Sequence, residues 1–262
     1  MITPTLALAG ATYRAATRSR LNALLALFGL ALFAVLQLMS DASINQDERI
    51  FKDLGLFLCS TLALLTSLGL SASSLHRELE RKSSFSLLSK PIPRAALLWG
   101  KLLGHALTTL TLVALCALTW GLLAWRQGLP LEWVMAQAFT LVWLESLITL
   151  GVGLLLSSFS TPLVTAGLTL GVTLAGRFSG DLHALYDRAL RKGELTLSLE
   201  LSDWALALLP DLTLYNATAQ AVYGGGAPFP ASYLWHAALA ALTYAALCAL
   251  IASWAFSRRD LM

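Results

Sequence analysis

The stretch from residue 76 to residue 101, HRELERKSSFSLLSKPIPRAALLWGK, decides the fold, because it places a dense run of charge between two apolar runs. A segment this charged cannot lie inside a bilayer. A loop with a strong excess of cations is expected on the cytoplasmic side, so this loop orients the chain. Its charged residues are six cations and two carboxylates, in order Arg77, Glu78, Glu80, Arg81, Lys82, Lys90, Arg94 and Lys101.

The remaining sequence is that of a polytopic membrane protein. Of its 262 residues, 57% are hydrophobic and 13% are charged, whereas a soluble domain carries about 25% charge. Hydrocarbon offers no partner to backbone amides, so apolar runs of roughly 20 residues are expected to be helices. The sequence therefore predicts a single all-α membrane domain over 1–262 with six transmembrane helices, at 21–39, 54–75, 102–125, 133–156, 162–177 and 233–256. The fifth run is the shortest.

The distribution of charge over these six spans is asymmetric. The side with the 76–101 loop holds eleven cations and three carboxylates, and the opposite side holds seven cations and eleven carboxylates. This bias predicts that the N- and C-termini both lie inside, on the cytoplasmic side of the membrane. The first apolar run lacks a small-residue cleavage site, so we expect an uncleaved first span.

Two segments outside the spans are expected to be helical. Residues 5–20 place Leu6, Ala9, Tyr13 and Ala16 on one face and Arg14 and Arg18 on another, which is typical of an interfacial helix at the cytoplasmic headgroups. Simple anchoring and contact with a partner are both open for it. Residues 178–232 are too polar for a span. They predict a helix from Ser179 or Asp181 to Gly193 and a shorter one between Pro210 and Gly224, which together form a small extracytoplasmic cap.

Glu145 is the ionisable residue in the middle of a predicted span, where a charge costs roughly 3 kcal/mol. We expect it to face protein or water, and a polar neighbour on the third span, such as Thr108, Thr109 or Thr111, is a candidate donor of a hydrogen bond to it. It either lines a passage or clamps two helices. Gly167 and Gly171 allow close helix packing, within the subunit or between two copies. Six tryptophans are expected to lie mostly at the membrane interfaces: Trp99, Trp120, Trp125, Trp133, Trp235 and Trp254.

Several classes of site are not favoured by the sequence. Cys59, Cys116 and Cys248 lie in apolar spans without the paired spacing of a metal or redox site, so we expect buried core residues. The four histidines are scattered, and neither HExxH nor GxSxG occurs. Gly100-Lys101 lacks the earlier glycine of a phosphate-binding loop, so we expect no ATP site and no enzymatic activity in this chain. The net charge of +3 gives no indication of nucleic-acid binding.

The sequence of the 76–101 loop indicates a defined local conformation. Glu78, Glu80, Arg81 and Lys82 fall on about one helical turn, and Pro91 and Pro93 then prevent a regular helix. E-x-E followed by Ser83-Ser84, then LLSKPIPR and Gly100-Lys101, resembles the permease subunits of type-2 ABC exporters. The external stretch from LLPD at 208–211 through Tyr223-Gly224 and the chain end FSRRDL at 256–261 are similar to that family as well. Arg81-Lys82-Ser83 departs from the family, which often has a less basic stretch ending in Gly-Thr.

The resemblance implies a six-span exporter subunit that works as a homodimer with two copies of an ABC ATP-binding subunit, where ATP and Mg are bound. No cofactor is expected on this chain, and an extracytoplasmic accessory protein is a further candidate partner. The loop would act as a coupling helix, with contacts at Glu78, Glu80, Arg81, Lys82, Lys90, Pro91 and Arg94. Two alternatives stay open: a non-transporting scaffold that recruits an ATPase, and a motor-independent carrier. A carrier would typically show broken helices, for which Gly151-x-Gly153 is the one candidate.

Overall fold

The computed structural model describes residues 2–19, 47–80, 94–191 and 209–257, together with positions 23, 27, 29 and 34. Within these residues all regular elements are helical, as predicted. The described residues form seven α-helices: α1 Ile2–Thr17, α2 Asp47–Glu80, α3 Arg94–Arg126, α4 Trp133–Ser157, α5 Pro162–Arg177, α6 Ser179–Arg191 and α7 Ala231–Ser257.

Four of these helices are long and apolar enough to cross a membrane: Glu48–Ser73 in α2, Ala95–Arg126 in α3, Trp133–Ser157 in α4 and Ala231–Ala255 in α7. They correspond to the predicted second, third, fourth and sixth spans. The predicted first span lies outside the described residues except for four single positions. Helix α5 has 16 residues, so it is about 24 Å long and falls short of a hydrocarbon layer of about 30 Å. Six spans therefore remain a prediction.

Helix α4 forms the centre of the bundle, where it packs against α2, α3, α5 and α7. It is apolar on every side and most of its residues are buried, as expected for a helix with neighbours all round. Its two glycines lie where α7 and α2 come close to the backbone of α4. A Cβ on Gly151 would lie 3.0 Å from Ala245 of α7, and one on Gly153 would collide with Ser71 of α2. Since α4 is unbroken here, these glycines do not loosen the span.

Helix α1 packs against the first half of α3. A Cβ on Gly100 or Gly104 would lie 2.6 Å from the Cβ of Leu8 or Thr12, respectively, so the two glycines make room for α1. Ala9 is buried in this contact, but Leu6 is 60% exposed.

The predicted coupling loop is described only at its edges. Helix α2 continues without a break through Glu80, so Glu78 and Glu80 belong to the end of the span helix rather than to a separate short helix, and Arg94 is the first residue of α3. Arg81, Lys82, Lys90 and Pro91 lie outside the described residues.

One tryptophan was assigned to the wrong place. Trp120 is 3% exposed, its indole N–H donates to the carbonyl of Phe51 at 3.4 Å, and it fills the space left by Gly55. It is a core residue that joins α3 to α2. Four others, Trp125, Trp133, Trp235 and Trp254, are exposed, as expected of residues at an interface.

Residues 209–230, here called the cap segment, close one end of the bundle, which we call the cap end. Helix α6 begins and ends close to its predicted limits. The helix predicted from Pro210 to Gly224 is instead a 3-10 turn, Thr213–Tyr215, and a π-helical turn, Ala219–Tyr223. Gly225 and Gly226 adopt positive φ angles of 64° and 78°, a conformation that glycine takes without strain.

Polar contacts fix the cap segment to the spans. The side-chain amide of Gln137 donates to the carbonyl of Phe229 at 3.0 Å and its oxygen accepts the Phe229 N–H at 2.7 Å. The Tyr215 hydroxyl donates to the carbonyl of Ala237 at 2.9 Å. Below them, Lys52 of α2 lies 2.6 Å from Glu132, at the start of α4. The cap segment is thus attached to α4 and α7.

Candidate functional site

The site is built around an ion pair between the half-buried Arg177, the last residue of α5, and the buried Glu145 of α4. The Arg177 Nε lies 2.6 Å from Oε1 of Glu145, and its Nη2 donates to Oε2 at 3.2 Å. The same Nη2 donates to the hydroxyl of Ser60 on α2 at 2.6 Å. Glu145 is 7% exposed. One guanidinium therefore joins three helices through charge-assisted hydrogen bonds, which are stronger than neutral ones.

The pair lies deep in the bundle. Glu145 is twelve residues beyond the start of α4, and Ser60 is twelve residues beyond Glu48 in α2, so each lies about 18 Å along its helix from the cap end. Arg177 reaches the same level because α5 is short and ends there. Unpaired charges at this depth would be costly, and mutual pairing is the usual solution.

The predicted partner of Glu145 was wrong. The hydroxyls of Thr108 and Thr111 donate to carbonyls of their own helix, at Gly104 and Thr108. Thr109 also bonds within α3 and accepts a hydrogen bond at 3.3 Å from Ser146, the residue that follows Glu145. Threonines at mid-helix commonly satisfy themselves this way. Glu145 is buried between helices at the edge of a cavity, as expected of a residue that faces protein or water.

A cavity of about 280 Å³ lies between this ion pair and the cap segment. Its floor is Glu145, Arg177 and Ser60, and its roof is the stretch from Tyr215 to Thr218 with Leu212. Phe57 and Phe178 stand at its rim, 62% and 57% exposed. The remaining lining residues are Asp53, Leu56 and Val142. Polar groups at the floor and roof and apolar walls between them give a site that can orient an amphipathic molecule.

The roof is held in place by Asp211. Its Oδ1 accepts hydrogen bonds from the Ser179 hydroxyl at 2.7 Å and from the N–H and hydroxyl of Thr213 at 3.0 and 2.6 Å. Partial burial by itself would raise the pKa of Asp211, but the hydrogen bonds from Thr213 and Ser179 outweigh it, so the pKa lies below its usual value. Asp211 therefore stays ionised and ties the start of α6 to the cap segment.

Tyr215 is the buried anchor of the roof. It is 2% exposed, and burial raises the pKa of its phenol to about 12. The phenol is therefore protonated at neutral pH and remains a hydrogen-bond donor to α7. Tyr215 thereby ties the roof of the cavity to α7.

Other residues singled out in the sequence lie elsewhere. Arg14 and Arg18 are exposed on and just after α1, and Tyr13 is half-buried beside a second cavity of about 290 Å³ between α1, α2 and α3. Gly167 and Gly171 are exposed on α5, and no atom lies within 4 Å of a Cβ built on either. Among the described residues they therefore make no packing contact within the subunit.

Three residues of the site were missed by sequence reasoning: Arg177, Ser60 and Asp53. Arg177 was counted as a cation outside the membrane, and its position at the end of an apolar run of only 16 residues was the signal that it lies deeper. Ser60 gave no signal, since serines are common in spans. Cys59, Cys116 and Cys248 are free and buried, as predicted. In the described ranges, no three His, Cys, Asp or Glu side chains converge on a metal site.

Comparison with known proteins agrees with this architecture. The sequence model of a family described as ABC-2 family transporter protein matches residues 8–261, almost the whole chain. No curated protein matches the chain. The resemblance to type-2 ABC permeases, first carried by the 76–101 loop, is thereby confirmed. The chain is a multi-pass membrane protein that belongs to the ABC-2 transporter family.

Proposed function

We propose that this chain is the membrane-spanning subunit of an ATP-driven exporter, in which a separate ABC ATP-binding subunit drives movement of a substrate across the bacterial cytoplasmic membrane. The observation that carries the proposal is the family match over residues 8–261. The cavity above the Glu145–Arg177 pair supports it, because it offers polar groups at membrane depth in a chain of this family. The cap end is the extracytoplasmic end in this proposal, with both termini inside.

Helix α2 supplies a physical link between motor and cavity. It runs unbroken from Asp47 to Glu80, a distance of about 50 Å. One end leads into the 76–101 loop, and the other half carries Ser60, whose hydroxyl accepts a hydrogen bond from the Arg177 guanidinium at the cavity floor at 2.6 Å. Packed helices shift as rigid bodies between discrete arrangements. A displacement of the loop by the motor would therefore move the Ser60 end of α2 relative to α4 and α5.

The contact with the motor is proposed at the 76–101 loop, through Glu78, Glu80, Arg81, Lys82, Lys90, Pro91 and Arg94. ATP and Mg would be bound by the partner ATPase, present in two copies with a second copy of this chain. The exposed α5 face at Gly167 and Gly171 is the proposed contact between the two copies. It has room for a second helix to approach, since neither glycine is covered by the described residues.

Copurification tests the proposal. The tagged chain is extracted from native membranes in a mild detergent, and an ABC ATP-binding subunit is sought by mass spectrometry. We expect it with the wild-type chain and not after alanine replacement of Glu78, Glu80, Arg81 and Lys82 together. The matched control replaces Arg188 and Arg191, exposed cations of α6 near the cap end, and should retain the ATPase. Retention by the fourfold variant would contradict the proposed contact.

The two alternatives predict different results. A non-transporting scaffold would bind the ATPase, but reconstituted vesicles would show no ATP-dependent flux. A motor-independent carrier would support flux without any ATPase. The unbroken α4 does not favour the carrier, because carriers of this kind typically bind substrate at broken helices.

A further inference from the structure

The charge of the cavity is unbalanced. Glu145 is neutralised by Arg177 at its floor. Asp53 also lines the cavity, and within the described residues its carboxylate makes no ion pair. The described lining thus contains two carboxylates and one guanidinium, a net charge of −1.

The cations nearest to Asp53 in α2 are engaged elsewhere. Lys52 is buried and lies 2.6 Å from both Glu48 and Glu132. Arg49, one turn before Asp53, has its guanidinium 5.8 Å from the centre of the Tyr223 ring. Arg49 shares the face of α2 on which Asp53 lies, but its guanidinium is placed over the Tyr223 ring, and the Lys52 ammonium lies between two carboxylates. Asp53 is therefore left to attract a cation from outside the chain.

The cavity wall next to Asp53 is apolar and partly aromatic. Asp53, Phe57 and Ser60 are spaced by four and three residues, so they share one face of α2. Phe57 and, from the end of α5, Phe178 are exposed at the rim. Aromatic faces attract both alkyl chains and organic cations. The volume of about 280 Å³ suits a polar head group rather than an entire long-chain molecule.

We propose that this cavity binds the head group of a cationic amphiphile, an alkylammonium whose ammonium lies against Asp53 and whose alkyl chain leaves past Phe57 and Phe178. The proposal deepens the exporter function and rests on it for treating the cavity as part of the passage. Asn216 and Thr218 in the roof offer further hydrogen-bonding groups to such a head. An anionic head of equal size would meet the uncompensated charge of Asp53 and be disfavoured.

Photolabelling tests the site directly. The probe is a dodecyltrimethylammonium that carries a diazirine in its chain, added to the full chain in dodecyl maltoside, which has no charge. A dodecyl sulfate with the same diazirine is the matched anionic probe. We expect the cationic probe to label the peptides containing Phe57 and Phe178, and unlabelled dodecyltrimethylammonium to compete. Asp53→Asn should weaken labelling about tenfold, since contacts to charged groups carry this order of free energy.

Asp181→Asn is the matched control, because Asp181 is an exposed carboxylate of α6 that does not line the cavity; its labelling should equal wild type. Equal labelling of wild type by the anionic probe would overturn the proposal whether or not any variant folds. Choline competing as well as dodecyltrimethylammonium would also overturn it, since the head alone would then suffice. If the cationic probe does not label the cavity but an ATPase still copurifies, the ligand class is refuted and the exporter function is not. If the probe labels the cavity but no ATPase copurifies, the exporter function alone is refuted.

Discussion

The ion pair between Arg177 and Glu145 makes a quantitative prediction for stability. Replacing Arg177 with methionine keeps an unbranched chain of comparable length but removes all three hydrogen bonds of the guanidinium. Glu145, whose side chain is 9% exposed, would be left without its partner in the middle of the bundle. The helices α2, α4 and α5 would also lose the group that joins them.

The magnitude follows from the burial of the two partners. Removing one partner of a buried ion pair costs about 3–5 kcal/mol. The Arg177 side chain is 30% exposed, so solvent screens part of the attraction and we expect about 2–4 kcal/mol for Arg177→Met. Glu145→Gln should cost less, about 1–2 kcal/mol, because the arginine left behind borders the cavity and can be hydrated there. The double variant Glu145→Gln with Arg177→Met should cost about 1–3 kcal/mol less than the sum of the two single changes.

Thermal unfolding in detergent, followed by size-exclusion fluorescence, measures these differences. For a chain of this size each kcal/mol corresponds to about 2–4 °C, so Arg177→Met should lower the Tm by roughly 4–16 °C. Arg126→Met, at an exposed cation at the end of α3, is the control and should leave the Tm within about 2 °C. The reasoning is refuted if Arg177→Met lowers the Tm no more than the control does, or if the double variant equals the sum of the single ones.

Three further predictions concern the parts of the fold around the site. Gly104→Leu should detach α1 from α3, because even a Cβ there would lie 2.6 Å from a side chain of α1. Amide exchange in α1 should then accelerate. Gly121→Leu, at an open position of α3, should leave the exchange in α1 unchanged. Asp211 has a lowered pKa in the folded chain. Its stabilising effect is therefore full above the ordinary aspartate pKa of about 3.9 and is lost as the pH falls through the folded value. The Tm difference between wild type and Asp211→Asn should shrink between pH 6 and pH 3, and a constant difference would contradict the assignment. Gln137→Leu should cost about 1–3 kcal/mol by leaving the N–H and carbonyl of Phe229 without partners, measured as a lower Tm, and an unchanged Tm would show that water replaces the amide.

Much of the architecture was accessible from the sequence because hydrophobicity over some 20 residues is a local property. The second, third, fourth and sixth predicted spans each fall within a helix of the structure. Helix α6 was predicted from the spacing of its apolar residues. The family, too, was indicated by a local pattern in the 76–101 loop and holds over nearly the entire chain.

The wrong predictions concern residues whose contacts in the fold are not determined by the residues next to them in sequence. Tryptophan is a residue type common at membrane interfaces, yet Trp120 is buried because Gly55 on another helix leaves space for its ring. The Pro210–Gly224 stretch contains helix-compatible residues, but its hydrogen bonds go to Ser179, Gly176 and Ala237 instead of forming a regular helix. Such contacts join residues far apart in the chain.

By itself the sequence determined that this chain is a helical membrane protein and that Glu145 could not face lipid, since a charge at that depth needs a partner whatever the fold. The tertiary structure decided which partner it has. The shortness of α5 brings Arg177 down to the level of Glu145, and the packing of α2 against both adds Ser60. The physical reason is that the cost of a charge in hydrocarbon is a property of one residue, whereas the means of offsetting it depends on which helix ends meet in space.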